Sequence, residues 1–200
     1  MSKRTRIYTR GGDTGDTGLV GGQRVAKHSA RIRSFGDVDE CSSVIGLARR
    51  SLQERIATHP RVASLDAWLA WTQDALFNLG SDLATMPVIQ RESIPRITQR
   101  DVDALEKAID AAQDQLPPLD AFIHPGGTQA GGLLHLARAV CRRAERSIVE
   151  LAKSEPVEPL VLVYINRLSD ALFAWARWVN GELGSSEHRW NPKANPPDAF

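Results

Sequence analysis

Ala137-Arg138-Ala139-Val140-Cys141-Arg142-Arg143-Ala144-Glu145-Arg146 decides the fold class. The stretch has no glycine or proline and is rich in strong helix formers, so it reads as helix. At about 100° per residue, Arg138, Arg142, Glu145 and Arg146 share one arc of that helix. Ala137, Val140, Cys141, Ala144 and Ile148 share another, suited to packing on a core, and Arg143 sits away from both. Three guanidinium groups on one face repel one another, and a single glutamate offsets only part of that. Helix geometry alone leaves two readings open. One is a solvated basic face with ordinary salt bridges; the other is a grip on a polyanion, whose phosphate oxygens match the planar donors of arginine.

The same helical spacing recurs on either side. A helix pattern begins at Asp37, with Asp37, Asp39 and Glu40 at the positive end of its dipole. Its apolar stripe is Val38, Cys41, Val44, Ile45, Ala48 and Leu52, and His59-Pro60 breaks the chain after it. A second helix is predicted from Val62 to Ala84, carrying Leu65, Leu69, Leu76, Leu79 and Leu83. Met86 to Pro95 reads as a loop. Thr98, with Asp101 three residues on, is the N-cap of a third helix running to Gln115. Pro117-Pro118 ends it, and the arginine-bearing helix follows from Gln129 to Lys153. Pro156 and Pro159 separate that from a fifth, Leu160 to Gly181. Five helices with short connections and no alternating strand pattern predict an all-α, antiparallel five-helix bundle. The expected organisation is one domain over 1–200: an N-terminal glycine-rich loop at 1–36, the bundle at 37–183 and an irregular tail at 184–200.

Composition narrows the function classes. At 200 residues, 42% hydrophobic and 24% charged, the chain can bury one substantial core. Its 25 basic and 24 acidic residues give a net charge of +1, which argues against non-specific nucleic-acid binding but leaves room for a local anion site. Cys41 and Cys141 are too few for a disulfide framework or a cysteine-built metal site, and read as reduced core thiols. No apolar run approaches the roughly 20 residues of a membrane span. Met1 to Arg6 is basic but is followed by no apolar segment, so the expected location is cytoplasmic, with no membrane or nucleic-acid partner.

Two further stretches carry chemistry. Arg10-Gly11-Gly12-Asp13-Thr14-Gly15-Asp16-Thr17-Gly18-Leu19-Val20-Gly21-Gly22 holds six glycines in thirteen residues. Successive amides in such turns can form an anion-binding nest, and a plain mobile loop is the other reading. No Lys-Ser/Thr follows the last glycine, so this is not a Walker loop. On the fifth helix Asn166, Asp170, Phe173 and Arg177 share a face, either as a network bracing the bundle or as a ligand site. The five histidines show no paired ligand spacing, so no metal site is expected from them. The tryptophans are scattered, and no nucleophile–base set stands out. The protein would therefore position a polyphosphate while something else supplies the nucleophile.

These stretches, read together, resemble the PduO-type ATP:cob(I)alamin adenosyltransferases. The resemblance rests on Ile7 to Gly15, Gly21-Gly22-Gln23-Arg24-Val25-Ala26-Lys27, Gly36-Asp37-Val38-Asp39-Glu40 and Phe122-Ile123-His124-Pro125-Gly126-Gly127. Cys141 to Arg146 and Asn166-Arg167-Leu168-Ser169-Asp170 complete it, in family order and ending near Val179. It implies a trimeric bundle with active sites between subunits, acting on ATP, with Mg2+, and on cobalamin. Thr9, Arg10, Gly11, Gly12, Thr17, Gly18 and Lys27 would hold ATP, joined by Arg142, Arg143, Glu145, Arg146 and Asn166. Asp39 would pair with Arg138 across the interface, so that Arg138, Arg142, Asp39 and Phe122 carry catalysis. Phe122, with Phe173 and Asp170, would face the corrin and keep the lower axial ligand off cobalt. A reductase and an enzyme that uses adenosylcobalamin would be further partners. Rival readings are a cobalamin carrier that binds ATP without turnover and an ATP-sensing helical oligomer with no corrin site.

Three positions depart from the family pattern. Gly11 stands where a threonine is commoner, which removes a hydroxyl from the loop. Cys41-Ser42 replaces a usual Leu-Asn. His124 replaces a usual leucine beside the expected corrin pocket, and the expectation is that its ring points away from cobalt.

Overall fold

The computed structural model describes residues 7–86 and 94–196. The basic start Met1 to Arg6, most of the expected 86–95 loop and the last four residues of the tail lie outside the described residues. Five helices carry the fold: α1 (Ala30–Gln53), α2 (Val62–Leu83), α3 (Gln99–Gln113), α4 (Gln129–Leu151) and α5 (Pro159–Glu182). A hairpin of two three-residue strands, β1 (Asp16–Gly18) and β2 (Arg24–Ala26), precedes them, with Thr17 opposite Val25.

The predicted helices α2 to α5 agree with the structure to within two residues at each end. At α3 the Thr98 N–H donates to Asp101 Oδ2 (2.8 Å), completing the expected cap. The start of α1 differs: the helix begins at Ala30, capped by Ser29, seven residues before Asp37. The stretch Arg24 to Phe35 looks like a polar loop because its polar groups find partners only after folding. Arg31 is 3% exposed; its guanidinium donates to Leu83 O (2.6 Å) and Glu155 (2.7 Å). Ser34 Oγ donates to Ala30 O (2.9 Å) or to Ser147 O (3.0 Å). The acidic group therefore lies in the second and third turns of α1, and the boundary between loop and bundle falls at Ser29.

Side-chain links give the helix directions. Arg31 and Ser34 at the start of α1 meet the ends of α2 and α4, while Arg49 late in α1 meets Asp66 early in α2. α1 thus runs opposite to both neighbours. Asn166 early in α5 meets Glu145 late in α4, and Asn180 near its end meets the segment before α4. The order is up and down along the chain, which leaves α3 and α5 pointing the same way. They pack side by side, Glu106 to Arg167 (2.7 Å) and the Pro117 carbonyl to Arg177 (3.0 Å).

The core sits among α1, α2, α4 and α5. Leu65, Leu69, Leu76, Leu79 and Leu83 of α2 are buried, as are Ala137, Val140, Cys141, Ala144 and Ile148 on α4. Cys41 and Cys141 are both free, buried thiols at the α1–α4–α5 seam, donating to Ala137 O (3.7 Å) and Ile165 O (3.3 Å). A hydrogen bond with Cys41 and burial hold the Cys141 thiol well above its ordinary pKa. Trp68 sits 5.5 Å from Trp71 and 6.3 Å from Trp175, ring to ring, so Trp175 of α5 joins the two tryptophans of α2 in one packing cluster.

Candidate active site

The glycine-rich loop is anchored at the end of the bundle where α1 starts and α2 stops. Leu19 is buried and Val20 N–H donates to Ala84 O (3.0 Å). Within the loop the chain folds back by Asp13 N to Arg10 O (3.4 Å), Gly15 N to Gly12 O (3.2 Å) and Lys27 N to Gly15 O (2.8 Å). Arg10 takes a left-handed conformation (φ 59°). Lys27 Nζ lies against Gly12, 3.0 Å from where a Cβ would stand, so a side chain there would have to push the ammonium aside. Arg24 donates to Gly11 O, and Thr9 Oγ1 accepts from Gly11 N–H (3.4 Å). Arg10, Arg24 and Lys27 thus all belong to or lie against this exposed glycine loop, which is a composition suited to an anion. Arg24 escaped the sequence reading as a site residue; its place opposite Gly18 in the hairpin is what brings it in.

The arginine face of α4 divides on inspection. Arg143 turns to α1 and pairs with Asp37 (3.4 Å) and Glu40. Glu145 accepts from Asn166 Nδ2 (3.0 Å), and Arg167 donates to Asn166 Oδ1 (3.2 Å). Arg146 donates to the Arg142 carbonyl (3.0 Å). Arg142 is exposed, and its guanidinium has no hydrogen bond or ion pair among the described residues. An exposed arginine without a partner is available to an anion, and its planar donors suit phosphate oxygens.

Further toward the start of α4, Arg138 lies over the Phe173 ring (5.9 Å to its centroid), and its Nε is buried without a partner. His135 meets the same ring edge-on at 6.0 Å, with Nδ1 likewise unpartnered. Burial and the Arg138 charge hold the His135 pKa below its ordinary value, with Glu187 acting weakly the other way. Asp39 is exposed on α1, where it lines a groove of about 430 Å3 with Val20, Phe35, Val38, Leu76 and Phe77. Asp170 and Phe173 line a separate cleft of about 390 Å3 between α3 and α5. Arg177, read from sequence as either brace or ligand group, is a brace: it is buried and pairs with Glu187 as well as Pro117 O.

Phe122 stands at the opposite end of the bundle from the glycine loop and is 77% exposed. Its segment is held by two devices that periodicity does not reveal. Asn180, 5% exposed on α5, accepts from Thr128 N–H (2.9 Å) and Thr128 Oγ1 (2.8 Å), and donates to Gly126 O (2.8 Å). A Cβ on Gly127 or Gly131 would overlap that carboxamide, which is why small residues cluster there. The second device lies in the tail, which is not irregular throughout. Trp190 N–H donates to Phe122 O (2.7 Å) and His124 N–H to His188 O (2.8 Å), pairing Ile123 with Arg189. Phe122 and Trp190 face each other at 6.1 Å, and His124 and His188 at 4.8 Å, centroid to centroid. His124, expected to point away from a corrin pocket, is turned against His188.

Among the described residues no helix is long and apolar enough to cross a membrane. The family model for cobalamin adenosyltransferase matches residues 7–179. A corrinoid adenosyltransferase of Bacillus subtilis is 43% identical over 189 residues, covering 94% of each chain. One from Mycobacterium tuberculosis is 41% identical over 192 residues, again covering 94% of each. Among solved structures, a variant PduO-type ATP:corrinoid adenosyltransferase from Lactobacillus reuteri, complexed with cobalamin and ATP, superposes with a TM-score of 0.85. It is 37% identical, and the match covers 94% of this chain and 97% of that one. The chain belongs to the cobalamin adenosyltransferase family.

Proposed function

We propose that this protein transfers the 5′-deoxyadenosyl group of ATP to the cobalt of cob(I)alamin, giving adenosylcobalamin and triphosphate. The cobalt donates its electron pair to the 5′-carbon of ATP. The carbon–oxygen bond breaks with its pair on triphosphate, and cobalt goes from oxidation state I to III. The nucleophile comes from the substrate, so the protein need only orient the two reactants and stabilise growing charge. The observation that carries this reading is the free, exposed Arg142 on a family-typical arginine face, in a chain so similar to enzymes solved with both substrates.

In this reading Thr9 to Gly12, Thr17, Gly18 and Lys27 cradle the nucleotide. Arg142 and Arg146 meet the leaving triphosphate, where preorganised donors count most. Arg143, Glu145 and Asn166 hold that face in shape through their contacts with α1 and α5. Magnesium fits here: Glu145 Oε2 has no hydrogen bond among the described residues, and a carboxylate oxygen beside phosphates suits a hard cation. When bound it would neutralise charge on the triphosphate. Phe122 and Phe173 present apolar faces to the corrin, with Asp170 at the edge, and Phe122 keeps a lower axial ligand off cobalt.

Geometry also favours assembly. The glycine loop and Phe122 sit at opposite ends of α4, whose 23 residues span roughly 35 Å at about 1.5 Å per residue. One chain cannot bring both to one pair of reacting atoms. A second copy, docked so that Asp39 meets Arg138, would complete the site; both are without an ion-pair partner among the described residues, and we propose a trimer. The test is to mix protein, ATP, magnesium and chemically reduced cobalamin and follow formation of a light-sensitive adenosylated product. A protein that binds both substrates and forms none would be a carrier.

A further inference from the structure

The sequence spacing of the five histidines offers no chelating pair, yet folding makes one. His124 and His188 lie directly across the short antiparallel ladder between the segment before α4 and the C-terminal tail. Side chains alternate along such a ladder, so Phe122, His124, His188 and Trp190 occupy one face. The geometry points to His124 and His188 as a two-imidazole site for a divalent transition-metal ion of the zinc, nickel and copper class. This assignment is independent of the adenosyl-transfer reading.

Four observations support it. With metal–nitrogen bonds of about 2.0–2.1 Å, ring nitrogens about 1.1 Å from their centroids and a bond angle between about 90° and 110°, two imidazoles on one ion place their centroids about 4.5–5.2 Å apart. The observed separation is 4.8 Å, with the planes inclined at 46°, neither stacked nor edge-on. Both rings are exposed, so an ion can reach them. The backbone is already fixed by hydrogen bonds on both sides of the pair and by the Asn180 clip, so little ordering is needed on binding. Two arginines of the tail and of α5 are neutralised, Arg189 by Asp120 (3.1 Å) and Arg177 by Glu187.

Among the described residues no third histidine, cysteine or carboxylate joins the pair, so water completes the coordination. Imidazole selects this class of ion over magnesium or calcium, and affinity should rise from nickel to copper. An ion held here staples the tail to the segment that carries Phe122.

The test uses the full chain without a histidine tag, stripped with chelator and titrated with Ni2+, Cu2+ or Zn2+ by calorimetry and tryptophan fluorescence. The expected result is one ion per chain, with Ni2+ or Cu2+ quenching Trp190, which lies about 7 Å along the ladder from His188. His124→Leu and His188→Ala should each weaken binding at least about tenfold and remove the quenching. Both side chains are exposed, and circular dichroism would verify that the variants fold. In the parent Zn2+ should also raise the unfolding temperature, and in either variant it should not. Uptake of no ion at submillimolar concentration, or equal binding by parent and variants, would overturn the assignment.

Discussion

Asn180→Ala should be the most damaging single truncation outside the hydrophobic core. The carboxamide makes three hydrogen bonds, two accepted from Thr128 and one donated to Gly126 O, at 2.8–2.9 Å in a site only 5% exposed. Each is worth about 0.5–1.5 kcal/mol net, and truncation also strands the Thr128 N–H, so the loss should be about 2–4 kcal/mol. Thr128 is itself the N-cap of α4, its Oγ1 accepting from Gly131 N–H (3.1 Å), so the damage extends into the helix start. For a chain of this size that corresponds to a fall of roughly 5–15 °C in Tm. The assay is thermal and urea unfolding of parent, Asn180→Ala and Asn180→Asp. The aspartate keeps both acceptor bonds but sets a buried carboxylate oxygen against the Gly126 carbonyl, so it too should unfold well below the parent. A Tm change below about 2 °C for the alanine variant would refute the claim that this side chain clips the Phe122 segment to α5.

Other outcomes follow from the same geometry. Arg142→Ala should cut turnover about a hundredfold or more while leaving stability within about 0.5 kcal/mol, because the side chain is exposed and makes no hydrogen bond or ion pair among the described residues; near-normal turnover at saturating ATP would remove it from the site. Asp39→Asn should weaken assembly at least about tenfold by sedimentation if it meets Arg138 of a second copy. Unchanged assembly and kinetics would break that pairing. His135 has a folded-state pKa below its unfolded one, so its contribution to stability is present above the ordinary histidine value and is lost as pH falls below it toward the lowered one. His135→Gln should therefore flatten the stability profile below about pH 6.5. A profile as steep as the parent's would place the acid sensitivity elsewhere.

What was legible in the sequence was what repeats at helical spacing. The apolar positions of α4 and the leucines of α2 are buried where periodicity puts them, because a helix face faces one neighbour along its whole length. The start of α1 was not legible, since Arg31 is buried by partners 52 and 124 residues away. Nothing local says that an arginine in a basic, polar stretch will be interior. The candidate site divides similarly. The arginine face follows from spacing within one helix, but which arginine stays free depends on Asp37, Glu40 and Asn166 on other elements. The ladder between residues 122–124 and 188–190 joins segments with no hairpin between them, so no turn motif announces it.

The two sealed thiols have a practical use. Cys41 and Cys141 are both 0% exposed, and Cys141 resists ionisation, so in the intact bundle neither can meet a water-soluble disulfide reagent as thiolate. Modification must wait until α1 lifts from α4 and α5. The rate of thiol labelling in native buffer then becomes a clock for that opening, readable without any engineered cysteine and in the presence or absence of either substrate.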